Sequence, residues 1–366
     1  MAEQQEVPQI ISKMYDFPGL NVNREKHMVY EKGKINTYPI LHPTALVGIE
    51  IEVENIRDMV PVDFYWQYKE DGSLRNHGAE FASIPLRGRQ VEFALDYLNT
   101  QMHMFNEPDF SNRTSVHVHL NVRDMTWDQI KVFTILYAMY ERHFFHQAGT
   151  KRESSIFCVP LYKTHQLRHF MDNPDGSASQ WHKYSAVNLG TIIGSESCSK
   201  FGTIEFRHMY GTLDTKLLIS WINQILCLRQ EMINTTLPDL LDKLKRTNTT
   251  SEYIVDYRRI FREYALPYSI MEQADFESCI TATKRAVFSR DLYKYNTCLR
   301  PSVLFTYQDQ KNTKPKLDKE KLITAWENAK VKAQLQPHNA GQWFVGNIGM
   351  PNLEDVQLQP AVPTEF

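Results

Sequence analysis

The chain has 366 residues and a formal net charge of -2 at pH 7. At roughly 150 residues per domain, this length predicts about two domains, or one large domain with an appendage. The nearly neutral charge gives no strong signal for nucleic-acid binding. The five cysteines lie far apart without a CxxC pair, which argues against a disulfide framework and against a zinc knuckle.

The sequence shows no sign of a membrane segment or a secretion signal. No apolar run approaches the ~20 residues that are needed to cross a bilayer. The N-terminus lacks the basic and then apolar layout of a signal peptide. We therefore expect a cytoplasmic protein without a membrane partner.

The N-terminal part of the chain predicts a lead-in, a strand, a hairpin and a helix. Residues 1–44 are polar and interrupted by prolines, so we expect irregular structure there. Residues 45–55 alternate between aliphatic residues and glutamate, which is typical of a strand. An aromatic segment that ends at Asp71-Gly72 and the segment GAEFASIP after it predict a β-hairpin. Apolar spacing predicts a helix over residues 88–105.

The next stretch predicts a strand, a long helix and a loop. Residues 115–122 show strict alternation and predict a strand. Thr126 and Gln129 have the spacing of a capping box, so we expect a long helix that begins there and stops at Gly149. Residues 150–176 are rich in turn formers and predict a long loop at the active site.

The remainder of the chain is predicted to be mainly helical. Two further strands are expected at residues 184–191 and 202–209, and helices at 214–234, 237–245, 251–264, 280–295 and 318–335. The predicted divisions are a lead-in (1–44), a catalytic domain (45–235), a helical C-terminal region (236–335) and a polar tail (336–366). The fold class is α+β, with antiparallel strands that carry the chemistry and helices that cover one face.

Four of the predicted strands share one design. Acidic or imidazole side chains occupy one face, and aliphatic side chains occupy the other. Several carboxylates brought together cannot all stay ionised without a cation, and an excess of carboxylate favours magnesium or manganese over zinc. If the polar faces meet, the candidate ligands are Glu50, Glu52, Glu80, His117, His119 and Glu205.

A metal site of this kind indicates phosphate chemistry, which also needs cationic side chains. Arg207, two residues after Glu205, and Arg152 in the predicted loop are the candidates. The competing interpretations are a solvated sheet face for the glutamates, a surface charge for Arg152 and a structural ion pair for Arg207. The absence of GxxxxGK[ST] and GxGxxG motifs excludes a P-loop and a Rossmann site.

The order and spacing of six motifs resemble the amidoligase family: GIEIE, DGSL with GAEF, VHVHLNV, KRESSIFCVPL, YSAVNL and GTIEFRHMYGTLD. The resemblance covers about residues 45–229. It implies an antiparallel sheet of the glutamine synthetase catalytic-domain type. It also implies an ATP-dependent carboxylate-amine ligase that forms an amide bond through an acyl phosphate.

The resemblance further implies roles for individual residues. Divalent ions would be held by Glu50, Glu52, Glu80, His117 and Glu205. Arg207 would contact the phosphoryl group of ATP, Arg152 would face phosphate or a substrate carboxylate, and Asn188 would lie near the substrate. Lys183 stands where the family often has arginine, so it keeps the charge but loses the bidentate fork. His119 is a ligand or a substrate-side neighbour, and Glu54 or Glu80 could accept the proton of the amine.

Three other functions fit the same residues. An ATP:amine or guanidino phosphotransferase would release a stable phosphorylated product, and a metal-dependent hydrolase would act without ATP. A degenerate ligase fold could serve as a binding or assembly protein, although the intact set of acidic and imidazole residues argues against decay. The substrates could be small molecules, peptides or proteins, and analogy with ligases of this fold suggests a homo-oligomer.

Overall fold

The computed structural model describes residues 8–19, 45–58, 60, 62, 65–267 and 270–288. Most of the predicted lead-in, the helix predicted over residues 318–335 and the predicted tail lie outside these residues. The strands are Val47–Val53 (β1), Trp66–Lys69 (β2), Ala79–Ser83 (β3), Ser115–Asn121 (β4), Val187–Asn188 (β5) and Thr203–Tyr210 (β6). They form one six-stranded antiparallel sheet in the order β2-β3-β1-β4-β6-β5. The predicted α+β class with an antiparallel sheet is confirmed.

Helices make up most of the remaining regular structure in the described residues. They are Ile11–Met14 (α1), Arg89–Phe105 (α2), Trp127–Met139 (α3), Glu141–Ala148 (α4), Gln166–Asp172 (α5), Pro174–Ser179 (α6), Gly190–Ile193 (α7), Thr215–Asn234 (α8), Leu237–Arg246 (α9), Thr250–Phe261 (α10) and Gln273–Phe288 (α11). Short 3₁₀ turns span Thr150–Ser154, Leu161–Lys163 and Arg262–Tyr264. No helix in the described part of the chain is both long and apolar enough to cross a membrane.

Alternation along the strands gives the sheet one apolar face and one polar face. The aliphatic side chains of β1, such as Ile49 and Ile51, are buried in the core. On the same face of β6, the ring of Phe206 lies 5.8 Å from that of Phe133 on α3. The helices therefore cover the apolar face, and the hydrophobic effect fixes which face of each strand points away from them.

Three local expectations from the sequence needed correction. The capping box of Thr126 and Gln129 forms as predicted, but the helix breaks at Tyr140 and restarts as α4. The prediction of a long loop at residues 150–176 was wrong, because this stretch folds into 3₁₀ turns and the short helices α5 and α6. The side chain of Asn173 caps α6, and Pro174 occupies its first turn, so the NPDG signal marks a helix start.

The strand predicted at residues 184–191 is also shorter than expected. Only Val187–Asn188 pairs with β6, and the chain then turns into α7.

The described part of the C-terminal helical region shares its core with residues 45–235. Tyr140 packs against Phe261 of α10 and Phe276 of α11, with ring centroids 5.8 and 6.5 Å away. Apolar residues on both sides of the predicted boundary at residue 235 belong to one contiguous cluster. The helices after α8 therefore support the layer that backs the sheet.

Candidate active site

The strand register brings the predicted acidic and imidazole residues together on the polar face of the sheet. β1 lies between β3 and β4, and β6 lies on the other side of β4. Residues directly opposite on neighbouring antiparallel strands have Cβ atoms roughly 4.5–5.5 Å apart. Three such pairs form across the site: Glu52 opposite Glu80, Glu50 opposite His117, and His119 opposite Glu205.

These residues line an open cavity of about 310 Å³. Of the site residues predicted from the sequence, all except Arg152 and Glu54 line this cavity. The sequence analysis missed several other lining residues, among them Asp71, Arg113, Cys198 and Phe201. Of these, Asp71 was noted only as part of a turn.

The first trio of possible metal ligands consists of Glu50, His119 and Glu205. One ligand atom from each residue lies within 4.8 Å of the others. The Nε2 atom of His119 is buried and has no hydrogen-bond partner among the described residues, and Glu50 Oε2 lies 3.6 Å from it. The other ring nitrogen of His119, Nδ1, shares a 3.0 Å hydrogen bond with the Thr203 hydroxyl. A buried polar atom without a partner is costly, and a cation that binds the neutral form of the imidazole would satisfy this nitrogen.

The second trio consists of Glu52, Asp71 and Glu80, whose carboxylate oxygens also lie within 4.8 Å of one another. Asp71 reaches this position from the β2–β3 turn, where its Oδ1 accepts a 2.7 Å hydrogen bond from the Ser73 nitrogen. Glu52 is held by the main-chain nitrogen and hydroxyl of Ser115, both 2.7 Å from its Oε2. The two trios together offer five carboxylates and one imidazole, a donor set that fits magnesium or manganese.

His117 is more fully engaged than His119. Its Nδ1 lies 3.3 Å from Glu50 Oε2 and 3.4 Å from Glu205 Oε1, and its Nε2 lies 2.8 Å from the Ser115 hydroxyl. The resemblance implied that His117 is the ligand and left the role of His119 open. In the structure both ring nitrogens of His117 lie close to side-chain oxygens, whereas His119 Nε2 has no hydrogen-bond partner among the described residues.

The charges of the first trio act on one another. Burial raises the pKa of Glu50, but the charge of His119 and hydrogen bonding from His117 bring that pKa well below its usual range. The pKa of Glu205 is likewise lowered, because Arg207 and the two histidines outweigh the effect of burial. Burial lowers the pKa of His119, but the charges of Glu50 and Glu205 raise it overall. The site thus stabilises carboxylate anions that can attract a cation.

A β-bulge aims Arg207 at this cluster. The pairing of β4 with β6 slips by one residue between Val116 and Val118, so Arg207 and His208 together stand opposite His117. The guanidinium of Arg207 forms an ion pair with Glu205. His208 turns instead toward the helices, where its Nε2 lies 2.7 Å from the Tyr137 hydroxyl.

Arg152 lies beneath the bulge and not in the cavity lining. Its side chain is buried, with Nε donating to the main-chain oxygen of His208 at 2.8 Å and Nη2 donating to that of Arg207 at 2.9 Å. A bulge disrupts the strand ladder locally, and Arg152 satisfies the carbonyl groups at this point. The structure thus gives Arg152 backbone partners where the sequence analysis expected phosphate or a substrate carboxylate.

The predicted substrate side of the cavity contains Asn188 and Lys183. The Asn188 amide donates to Glu205 Oε2 at 2.7 Å, and its oxygen accepts from the Gly190 nitrogen at 2.9 Å. The Lys183 ammonium lies 4.7 Å from the ring centroid of Tyr184. Asn188 therefore fixes the orientation of Glu205, and Lys183 places a positive charge on the wall.

The two carboxylates that were predicted as proton acceptors have different positions. Glu80 lines the cavity. Glu54 lies outside its lining and accepts a 2.9 Å hydrogen bond from the Arg75 nitrogen, which ties the end of β1 to the loop after β2. Of the two, Glu80 is the one at the cavity.

Comparisons with known proteins give little independent information. No protein-family model matches the sequence, and no curated protein matches it. Among solved structures, the chain is similar to one described as the crystal structure of a novel glutamine synthase homolog, with 10% sequence identity and a TM-score of 0.32. The match covers 66% of this chain and 66% of that chain. This is a distant likeness at most, and it carries no argument about function.

Proposed function

We propose that the protein is an ATP- and divalent-metal-dependent ligase that joins a carboxylate to an amine. The observation that carries this proposal is the convergence of the two trios on one sheet face, beside the guanidinium of Arg207. Phosphoryl transfer depends mainly on positioning and on neutralising phosphate charge, and this arrangement supplies groups for both. The proposal includes a sheet of the glutamine synthetase catalytic-domain type, which the order of the sequence motifs supports.

The two trios divide the metal-binding role. Glu50, His119 and Glu205 would hold one divalent ion, and Glu52, Asp71 and Glu80 would hold a second. Bound Mg²⁺ or Mn²⁺ supplies positive charge for the ATP phosphates. The chain's own residues orient the ligands: Thr203 fixes the ring of His119, Ser115 fixes Glu52, and Asn188 fixes Glu205.

The proposed reaction has two steps. A carboxylate oxygen of the acid substrate attacks the γ-phosphorus of ATP, the bond to the β-γ bridging oxygen breaks, and ADP and an acyl phosphate result. The nitrogen of the amine then attacks the acyl carbon, phosphate leaves, and the nitrogen loses a proton. Arg207, held by Glu205 and by the main-chain oxygen of Phe157 at 3.4 Å, would contact the anionic oxygens of the phosphoryl group. Glu80 lines the cavity and Glu54 does not, so Glu80 would be the proton acceptor of the two predicted carboxylates.

The test is phosphate release from ATP by the full chain with Mg²⁺ or Mn²⁺. Pools of carboxylic acids, amino acids, peptides and polyamines are added separately and together. We expect release that requires both an acid and an amine, and a product whose mass equals the sum of the two substrates minus water. Glu205→Gln should abolish this release, whereas Glu252→Gln, which changes an exposed carboxylate on α10, should retain it.

Other outcomes identify the competing functions. A phosphorylated amine without an amide would indicate a phosphotransferase, and turnover without ATP would indicate a hydrolase. If neither ATP nor metal binds to the wild-type protein, the ligase proposal is wrong. Such a result would leave a binding or assembly role for this fold.

A further inference from the structure

Lys69 places an ammonium group between the two trios. It lies on the edge strand β2, directly opposite Glu80 in the register of the β2–β3 pair. Its Nζ lies 2.9 Å from Glu80 Oε1 and 3.6 Å from Glu50 Oε1. The ammonium therefore contacts one carboxylate from each trio.

This contact reduces the electrostatic repulsion between two carboxylates. Glu80 and Glu50 face the same cavity, and without a nearby cation their charges repel each other. An ammonium is a compact point charge that donates up to three hydrogen bonds. It cannot share a carboxylate oxygen closely with a divalent ion, because the two cations would repel.

The two trios differ in the donor atoms that are available to a divalent ion. The first trio offers an imidazole nitrogen without a hydrogen-bond partner, in addition to two carboxylates. The second trio offers carboxylates alone, and its Glu80 accepts a 2.9 Å hydrogen bond from Lys69, which lies farther, at 3.6 Å, from Glu50 of the first trio. A divalent ion at the second trio must therefore compete with Lys69 for Glu80.

We propose that Lys69 is a built-in competitor for the second divalent ion. Its ammonium neutralises Glu80 and Glu50 until the ion displaces it. The second ion then binds more weakly than the first, and occupancy of the complete site depends on the concentration of free metal. This inference rests on the proposed function, since it takes both trios as metal sites.

The opposing interpretation is an ordinary surface ion pair. The Lys69 side chain is 45% exposed, and exposed pairs contribute little to stability. In that case Lys69 would have no specific effect on the second metal site. Metal affinity distinguishes the two interpretations without any need for substrates.

The experiment is a titration of the full chain with Mn²⁺. Binding is measured by calorimetry and by the electron paramagnetic resonance signal of the Mn²⁺ that stays free. Lys69→Met is compared with Lys69→Arg, which keeps the charge. The matched control is Lys243→Met, which removes an ammonium that pairs with Asp256 outside the cavity. We expect two ions in the wild type and about tenfold tighter binding of the weaker one in Lys69→Met. Lys69→Arg and Lys243→Met should bind no more tightly than the wild type.

A second measurement uses the wild-type protein alone, so it does not depend on how a variant folds. Acylation of lysines with an activated acetate ester is read by mass spectrometry, with and without Mn²⁺. Displacement of Lys69 by the ion should increase its labelling, while labelling of Lys243 should stay constant.

The outcomes separate this inference from the proposed function. If the wild type binds two ions but Lys69→Met leaves the weaker affinity unchanged or lower, the inference is wrong and the metal site stands. Unchanged labelling of Lys69 in the presence of Mn²⁺ overturns it as well. If the wild type binds no Mn²⁺, the metal site itself is wrong and the inference falls with it.

Discussion

The guanidinium of Arg152 donates to the main-chain oxygen of Arg207 at 2.9 Å, so one buried arginine fixes the backbone that aims the other at the carboxylate cluster. The same guanidinium donates to the main-chain oxygen of His208 at 2.8 Å. These two hydrogen bonds support the bulge in β6. Arg152 therefore acts on the site through Arg207 and not by touching substrate.

Arg152→Lys should weaken both the bulge and the activity. Lysine keeps the positive charge but lacks the planar fork that reaches two carbonyl groups at once. We expect a loss of about 1–3 kcal/mol in the free energy of unfolding, measured with urea, because a buried carbonyl loses its donor. Phosphate release should fall about tenfold or more, because the guanidinium of Arg207 is no longer held in position. Arg246→Lys, at an exposed position on α9, is the control, and equal effects of the two substitutions would contradict this role.

Thr203→Val should lower metal affinity without disturbing the fold. The hydroxyl of Thr203 is the partner of His119 Nδ1, and valine has nearly the same shape. Loss of a group that orients a metal-ligating histidine typically reduces metal affinity about 10- to 100-fold. Mn²⁺ titration measures this effect, and Thr250→Val, at the start of α10, serves as the control. Wild-type affinity in Thr203→Val would exclude His119 as the ligand.

Asp71→Asn tests the ligand that the sequence analysis did not find. Asparagine can still accept the hydrogen bond from the Ser73 nitrogen, so the turn should persist. The neutral amide is a weaker ligand for a hard cation, and we expect the second Mn²⁺ to bind at least about tenfold more weakly. Asp128→Asn, on the exposed start of α3, should bind like the wild type. Unchanged stoichiometry and affinity in Asp71→Asn would remove Asp71 from the second trio.

Glu141→Gln should change how stability depends on pH. Glu141 is fully buried and accepts hydrogen bonds from the Tyr137 hydroxyl at 2.7 Å and the Tyr162 nitrogen at 3.0 Å. Burial raises its pKa to about 7, compared with about 4.3 for an unfolded chain. Between these values the folded protein binds the proton more tightly than the unfolded chain. The stability that this proton contributes is complete below about pH 4 and is lost as the pH rises through 7.

The comparison between wild type and variant isolates this contribution. In urea unfolding from pH 4 to pH 8, the wild type should lose up to about 3 kcal/mol relative to Glu141→Gln, which has no proton to lose. Groups elsewhere titrate in both proteins and cancel in the difference. Parallel stability profiles would show that Glu141 is ionised throughout.

Alternation and capping signals were sufficient to predict much of the sheet and its polar face. Every second residue of β1 and β4 had to face the core, so the positions of Glu50, Glu52, His117 and His119 followed from the pattern. The hairpin partners and the capping box at Thr126 were predicted because their signals are local. The predicted roles of the site residues stay predictions, although the residues lie together.

Other features depend on contacts that a single sequence does not show. The bulge at Arg207 and His208 contains no glycine or proline, and it exists only relative to β4. The preference for His119 over His117 depends on which ring nitrogen already has a partner in the folded protein. Burial of Arg152 depends on carbonyl groups more than fifty residues away in the chain. The helix break at Tyr140 has no marker in the sequence.

The donors of the two trios come from distant segments that meet only in the assembled sheet. An ion held by β1, β4 and β6 would link segments that are far apart in the chain and so close long loops, as a covalent cross-link does. Unfolding would have to release the ion, so its binding would stabilise the folded state. Metal in the cavity would then stabilise the folded chain in addition to taking part in the reaction. A chelator should lower the melting temperature of the chain and speed its digestion by protease, and both effects can be measured without substrate.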